Sequence, residues 1–175
     1  MRNYREKHCQ SSISILDDEK LPTKRFAIQR PRRGEFEKKA RNYVLEVEGL
    51  KLEKNFYLEI GASITKKLRR FDLGSEDPPI LVECKSHKWT ETGNMPAAKV
   101  TVWNESMFYF HLAPARYRKV LFVIRGVHMR RTESLAEYYI RSHSHLIPPG
   151  VSIIEFDELT GSAKIFRSLL GTRSL

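Results

Sequence analysis

Arg69-Arg70-Phe71-Asp72-Leu73 and Ile80-Leu81-Val82-Glu83-Cys84-Lys85, separated by a polar stretch from Gly74 to Pro79, decide how this chain is read. Two apolar-rich runs divided by Gly, Asp and Pro are the local signature of antiparallel strands joined by a turn. A symmetric turn sets Asp72 opposite Glu83. Directly opposed side chains have Cβ atoms about 4.5 to 5.5 Å apart on one face of the sheet. Two ionised carboxylates that close repel each other, and a bound cation offsets the repulsion. Mg²⁺ suits such a place, since it takes oxygen ligands at about 2.0 to 2.1 Å and keeps several waters. Side chains alternate along a strand, so Lys85 shares the face of Glu83 and Asp72. Cys84 points the other way and leaves its carbonyl as a further oxygen ligand for the metal.

Acid-x-Lys triplets also occur at Asp18-Glu19-Lys20 and Glu37-Lys38-Lys39. Only Glu83-Cys84-Lys85 follows an apolar run and an upstream acid at hairpin spacing.

Outward from the hairpin, Phe36, Ala40, Tyr43, Val44 and Val47 recur at helical spacing from Glu35 to about Leu50, with Gly49 ending the helix. Asn55 to Ile60 alternates as a strand, with Phe56, Leu58 and Ile60 inward and Gly61 at its end. It joins the hairpin as a three-stranded meander. Pro96 suits the first turn of a helix. Val100, Trp103, Met107 and Phe110 give that helix a buried stripe until Pro114, with Lys99, Asn104 and Glu105 as its polar exceptions. Lys119 to Ile124 is a continuous apolar run, expected as a buried central strand parallel to the Glu83 strand because a helix connects the two. Ser134 to Leu146 forms a second amphipathic helix with Leu135, Tyr138, Tyr139 and Leu146 inward, and Val151 to Phe156 a last strand after Pro148-Pro149-Gly150. The tail, with Ile165, Phe166, Leu169 and Leu170, is expected as a short helix or a subunit contact. His143 and His145 are two apart, which a helix does not place on one face, so they are not expected to pair on a metal.

The chain has 175 residues, 41% hydrophobic and 30% charged, as for one soluble globular domain. Residues 35–175 are read as that domain, preceded at 1–34 by a partly ordered basic arm with nine Lys or Arg against four acids and a short strand near Ser12 to Leu16. Neither a bilayer-spanning run nor a secretory signal is visible, so the expectation is a cytoplasmic protein without a membrane partner. Cys9 and Cys84 are far apart and form no CxxC pair, so both are read as reduced thiols. A net charge of +10 favours a polyanionic partner through phosphate contacts and counterion release.

Asp72, Glu83 and Lys85 at hairpin spacing resemble the active site of the PD-(D/E)xK nuclease superfamily, with Phe71 standing where the motif's name has proline. The order helix, three strands, helix, strand, followed by a further helix and strand, is similar to that superfamily's αβββαβ core. The resemblance implies an α/β fold of restriction-endonuclease-like type, a central mixed sheet flanked by helices, over roughly residues 35–156. It implies that Asp72 and Glu83 hold Mg²⁺, with Mn²⁺ a possible substitute, and that Lys85 orients or activates the attacking water. An additional acid on the first helix or strand is a feature of the family; Glu37 is the candidate, with Glu35 and Glu59 as alternatives. His87, Lys88 and Lys99 are the candidate DNA contacts near the active strand's exit and the next helix's start. The expected function is a metal-dependent DNA endonuclease of restriction type, acting as a homodimer because one hairpin gives one strand cut. A structure-selective repair or junction nuclease and a non-catalytic nucleic-acid-binding module of the same fold are the alternatives.

Overall fold

The computed structural model describes residues 33–167. The expected strand near Ser12, the rest of the basic arm, Cys9, Leu169 and Leu170 lie outside them. The chain runs α1 (Arg33–Glu48), β1 (Glu53–Ile60), β2 (Lys67–Glu76), β3 (Pro79–Lys85), α2 (Ala97–Leu112), β4 (Arg118–Ile124), α3 (Leu135–His143), β5 (Val151–Phe156) and β6 (Ala163–Arg167), with a 3₁₀ turn at Ser144–Leu146. The six strands form one mixed sheet in sequence order. β1, β2 and β3 pair antiparallel as the expected meander, β3, β4 and β5 pair parallel, and β6 returns antiparallel to β5. Among the described residues no helix is long and apolar enough to cross a membrane.

Parallel neighbours need a crossover, and α2 and α3 supply the two. Both crossovers advance in the same direction along the sheet, so the right-handed rule puts both helices on one face. There Val100, Trp103, Met107 and Phe110 of α2 and Leu135, Ala136 and Tyr139 of α3 pack on Phe71, Leu81, Leu121, Val123 and Ile153. The other face is covered by α1, whose Phe36, Ala40 and Val44 meet Leu73, Ile80, Val82, Val120, Phe122 and Ile154. Phe36 and Tyr43 both rest on Phe122, with ring centroids 5.5 and 5.6 Å away. Val47 is exposed rather than inward. The buried stripe advances by four residues, from Phe36 through Ala40 to Val44, and Val47 falls off its edge.

The hairpin is tighter than its polar residues suggest. Gly74 and Ser75, expected in the turn, are buried members of β2, and only Asp77 and Pro78 separate the strands, joined by a cis peptide bond. The Ser75 hydroxyl bonds the Asp77 backbone on both sides, which satisfies a polar residue placed near a core.

The meander also changes face partway along. Leu52 and Leu73 pack on the α1 side, whereas Phe56 and Phe71 pack on the α2 side. Phe71 and Leu73 are two residues apart, and an unbroken strand would put them on the same face. The switch occurs at Asn55, whose φ of 54° is left-handed, and at Asp72 across from it. Asparagine is one of the few residues that visits this region readily.

Two further expectations are corrected. The tail does not form a helix over 163–167 but the edge strand β6, placing Ile165 and Phe166 opposite Ile154 and Ile153. Leu146 is exposed rather than inward, because α3 ends at His143 and tightens into the 3₁₀ turn. The same tightening brings His143 and His145 side by side, with nearly parallel rings 6.5 Å apart. α3 itself starts from a capping box, the Ser134 hydroxyl accepting from Glu137 N–H while the Glu137 carboxylate accepts from Ser134 N–H.

Gly74 is where the face change leaves no room. A Cβ there would lie 2.5 Å from Cγ and 2.8 Å from Cβ of the buried Phe56. Gly74→Ala is expected to lower stability by about 1 to 3 kcal/mol through overpacking. Urea denaturation followed by tryptophan fluorescence measures it, and an unchanged midpoint would contradict the packing described.

Candidate active site

The β2–β3 ladder runs from Glu76 opposite Pro79 to Leu73 opposite Val82. One more step of this register sets Asp72 across from Glu83, as the sequence predicts, but the ladder stops before that step. The face change explains why. Asp72 is turned so that its carboxylate accepts the Cys84 backbone N–H at 2.8 Å, taking a place that a strand carbonyl would otherwise hold. A buried N–H needs such a partner.

Glu83 and Lys85 lie on the α2 face of β3, and Cys84 on the α1 face, as alternation requires. Lys85 Nζ is 2.6 Å from Glu83 Oε2, with both side chains under a tenth exposed. The second Glu83 oxygen faces Arg69 NH2 at 3.4 Å. Arg69 in turn lies flat over the Tyr109 ring of α2, with its guanidinium carbon 3.9 Å from the centroid. This arginine stands in the quoted stretch, yet the sequence reading gave it no role. A signal was present, since Arg69 lies on the strand of Asp72 and three residues before it. An isolated charge of this burial would be untenable, and each acid here has at least one hydrogen-bond donor.

Glu37 reaches the same neighbourhood from α1. The Cys84 thiol is held well above its ordinary range, first by burial, then by the negative charges of Asp72 and Glu37, with Lys85 opposing them and Glu83 adding to them. All four charged groups therefore act on one buried point from two strands and a helix. Of the alternative acids, Glu59 stands exposed on β1 opposite Leu68, and Glu35 is exposed in the first turn of α1.

The candidate nucleic-acid contacts are less concentrated. β3 ends at Lys85, so His87 lies beyond the strand, and its Nδ1 accepts the indole N–H of the buried Trp103 at 3.1 Å. Lys88 is half-buried, with its backbone against Gly126, where a Cβ would meet Lys88 Cα at 3.1 Å. Lys99 is exposed on the first turn of α2, outside the ion-pair cluster.

Carboxylates of Asp72 and Glu83 and the carbonyl of Cys84 are hard oxygen donors, the chemistry Mg²⁺ or Mn²⁺ prefers. Among the described residues, however, no three His, Cys, Asp or Glu side chains are gathered as a metal-holding group. Glu83 is turned to Lys85 and Arg69, and Asp72 to Cys84. The donor set thus fits such an ion in kind, with its oxygens engaged by the protein. Compared with family models, curated proteins and solved structures, the chain matches none.

A buried thiol surrounded by carboxylates is a poor nucleophile, because the thiolate is the reactive form. Cys84 is expected to resist iodoacetamide in the folded protein at pH 8 and to react within minutes once unfolded in guanidinium. Peptide mapping by mass spectrometry reads the two cases.

Proposed function

We propose that the protein is a metal-dependent DNA endonuclease of the PD-(D/E)xK type, with Asp72, Glu83 and Lys85 at its centre and Glu37 as the additional acid. The observation that carries this reading is the convergence of Asp72, Glu83, Lys85 and Glu37 on Cys84, at the end of a hairpin, in a chain of net charge +10. The order α1, β1, β2, β3, α2, β4 agrees with a restriction-endonuclease-like core.

Asp72 and Glu83 would hold Mg²⁺ with the Cys84 carbonyl. When bound, the ion supplies charge neutralisation at the phosphate and a water of lowered pKa. The protein's own residues do the rest. Lys85, already 2.6 Å from Glu83, is held where its ammonium can orient a water and stabilise the charge that grows on the phosphate oxygens. Arg69 sits on the other side of Glu83 and keeps that carboxylate ionised when Lys85 engages substrate. Restriction-type duplex cleavage is the leading form; structure-selective repair or junction cleavage uses the same groups.

A second reading is favoured by one specific feature. Two acids, Asp72 and Glu83, meet two bases, Lys85 and Arg69, so these four charges balance without an ion. A non-catalytic nucleic-acid-binding module would keep such a cluster for structure.

Supercoiled plasmid, linear duplex and branched DNA incubated with Mg²⁺, Mn²⁺ or EDTA separate the readings. Metal-dependent nicking or linearisation is expected with the wild type. Lys85→Ala should slow it by about 100-fold or more while DNA binding persists, since Arg69 remains to compensate Glu83. Asp72→Asn and Glu83→Gln should weaken Mn²⁺ binding in calorimetry. Near-normal cleavage by folded Lys85→Ala would refute the assignment, and no cleavage under any condition would favour the binding module.

One cluster per chain cuts one strand, so concerted duplex cleavage calls for a two-fold dimer on DNA. Sedimentation with a bound duplex should give two chains per duplex, and plasmid should pass to the linear form with little nicked intermediate.

A further inference from the structure

A second carboxylate is buried in the sheet, away from the hairpin. Glu155 of β5 is 4% exposed, and its Oε1 has no hydrogen-bond partner in the protein. Burial raises its carboxyl above the usual range, with the Ser134 hydroxyl, Arg125 and Lys164 pulling it back and Glu137 adding to the rise. Whichever proton state prevails, one oxygen can still accept a hydrogen bond. An orphaned acceptor of this burial costs about 1 to 3 kcal/mol. It faces a largely polar cavity of about 210 Å³, which Glu155 and Ser134 line as its buried members.

The other lining groups differ in sign from that floor. Arg125, Arg131 and Lys164 are exposed around the cavity. The acids beside them are already paired, Glu137 with Lys164 at 2.7 Å and Glu133 with Arg141 at 2.6 Å. Arg125 contacts Asp157 only at 3.6 Å, and Arg131 donates to the Gly93 carbonyl while lying over the Trp89 ring. A cationic ligand would be repelled at such a mouth, and a plain anion would leave the Glu155 oxygen unsatisfied. The matching ligand has a neutral N–H donor at one end and an anion at the other. A nucleotide whose base carries an exocyclic amino group has both.

The cavity is also placed to serve the hairpin cluster. Lys85 pairs with Val123 and Val123 with Glu155, so the lysine and the carboxylate stand in one row on one face of the sheet. Two strand spacings separate them, about 10 Å, which is one to two nucleotides of a single strand.

We infer that the cavity around Glu155 is a nucleobase-binding site, in which the Glu155 carboxyl accepts the amino group of adenine, cytosine or guanine while Arg125 and Arg131 face the adjoining phosphates. This rests on the nucleic-acid part of the function proposed above, and not on cleavage. Thymine is excluded by chemistry, because its one N–H is flanked by two carbonyl oxygens that would be pressed against the carboxylate.

Fluorescence anisotropy of labelled single-stranded hexamers, with the full chain in EDTA, tests the site without any cutting. Deoxycytidylate and deoxyadenylate hexamers are expected to bind about tenfold or more tightly than thymidylate. Glu155→Met should abolish that difference, and Arg125→Ala should weaken all three hexamers while keeping their order. An abasic hexamer supplies a check that needs no variant and should bind as weakly as thymidylate. Equal binding of all hexamers by the wild type, a preference that survives in folded Glu155→Met, or tight abasic binding would each overturn the inference. Loss of all DNA binding would overturn the nucleic-acid reading with it, whereas absent cleavage with the preference intact would leave this site standing.

Discussion

The change of face at Asn55 and Asp72 is the constraint on which the rest of the meander depends. Up to that point the hairpin feeds the α1 side of the sheet through Leu73 and Val82; beyond it, Phe56 and Phe71 feed the α2 side. A pair of strands that crosses over in this way must give up regular pairing for one residue on each. Asn55 provides the left-handed backbone, and Asp72 provides a side chain where the ladder lapses. The same event removes a backbone partner from Cys84 and hands it to a carboxylate. An acid is thereby fixed at the sheet's interior by the requirements of folding, before any chemistry is asked of it.

Around that acid the charges are arranged by layer. Lys85 and Arg69 hold Glu83 between β3 and α2, and Glu37 acts on Cys84 from α1. Buried ion pairs contribute little net stability, because desolvation offsets most of their attraction. Their geometry is nevertheless rigid, since removing any one partner leaves another buried and uncompensated. The aromatic support under Arg69 adds to this: Tyr109 holds the guanidinium plane, and Phe71 stacks on Phe110 one residue further along α2.

Much of this was legible in the sequence because period and punctuation agreed. The apolar run Val120 to Ile124 could only be a strand covered on both faces, and it lies between two parallel neighbours. The hairpin register followed from the symmetry of its turn, although Gly74 and Ser75 read as turn residues by type and are strand residues by packing against Phe56. What the sequence hides is any feature set by a partner distant in the chain. Ile165 and Phe166 have apolar neighbours at both strand and helix spacing, and only β5 decides for a strand. Arg69 looks like a surface residue until Tyr109 is placed over it. Glu155 carried the same mark as Glu83, a carboxylate inside an apolar run, and only the tertiary structure distinguishes an engaged acid from one with an unfilled oxygen.

α1 begins at Arg33, four residues before Glu37. At the rise of an α-helix this is about 6 Å along the axis. The covalent chain of residues 1–32 is therefore anchored within one helical turn of an acid that bears on Cys84. Any polyanion gripped by those residues is held near Asp72 and Glu83 as a tethered ligand, at an effective concentration set by the length of the tether and not by the bulk solution. Affinity and catalysis would then be separable along the chain, since shortening the segment would change how often a substrate meets the cluster without altering one contact inside it.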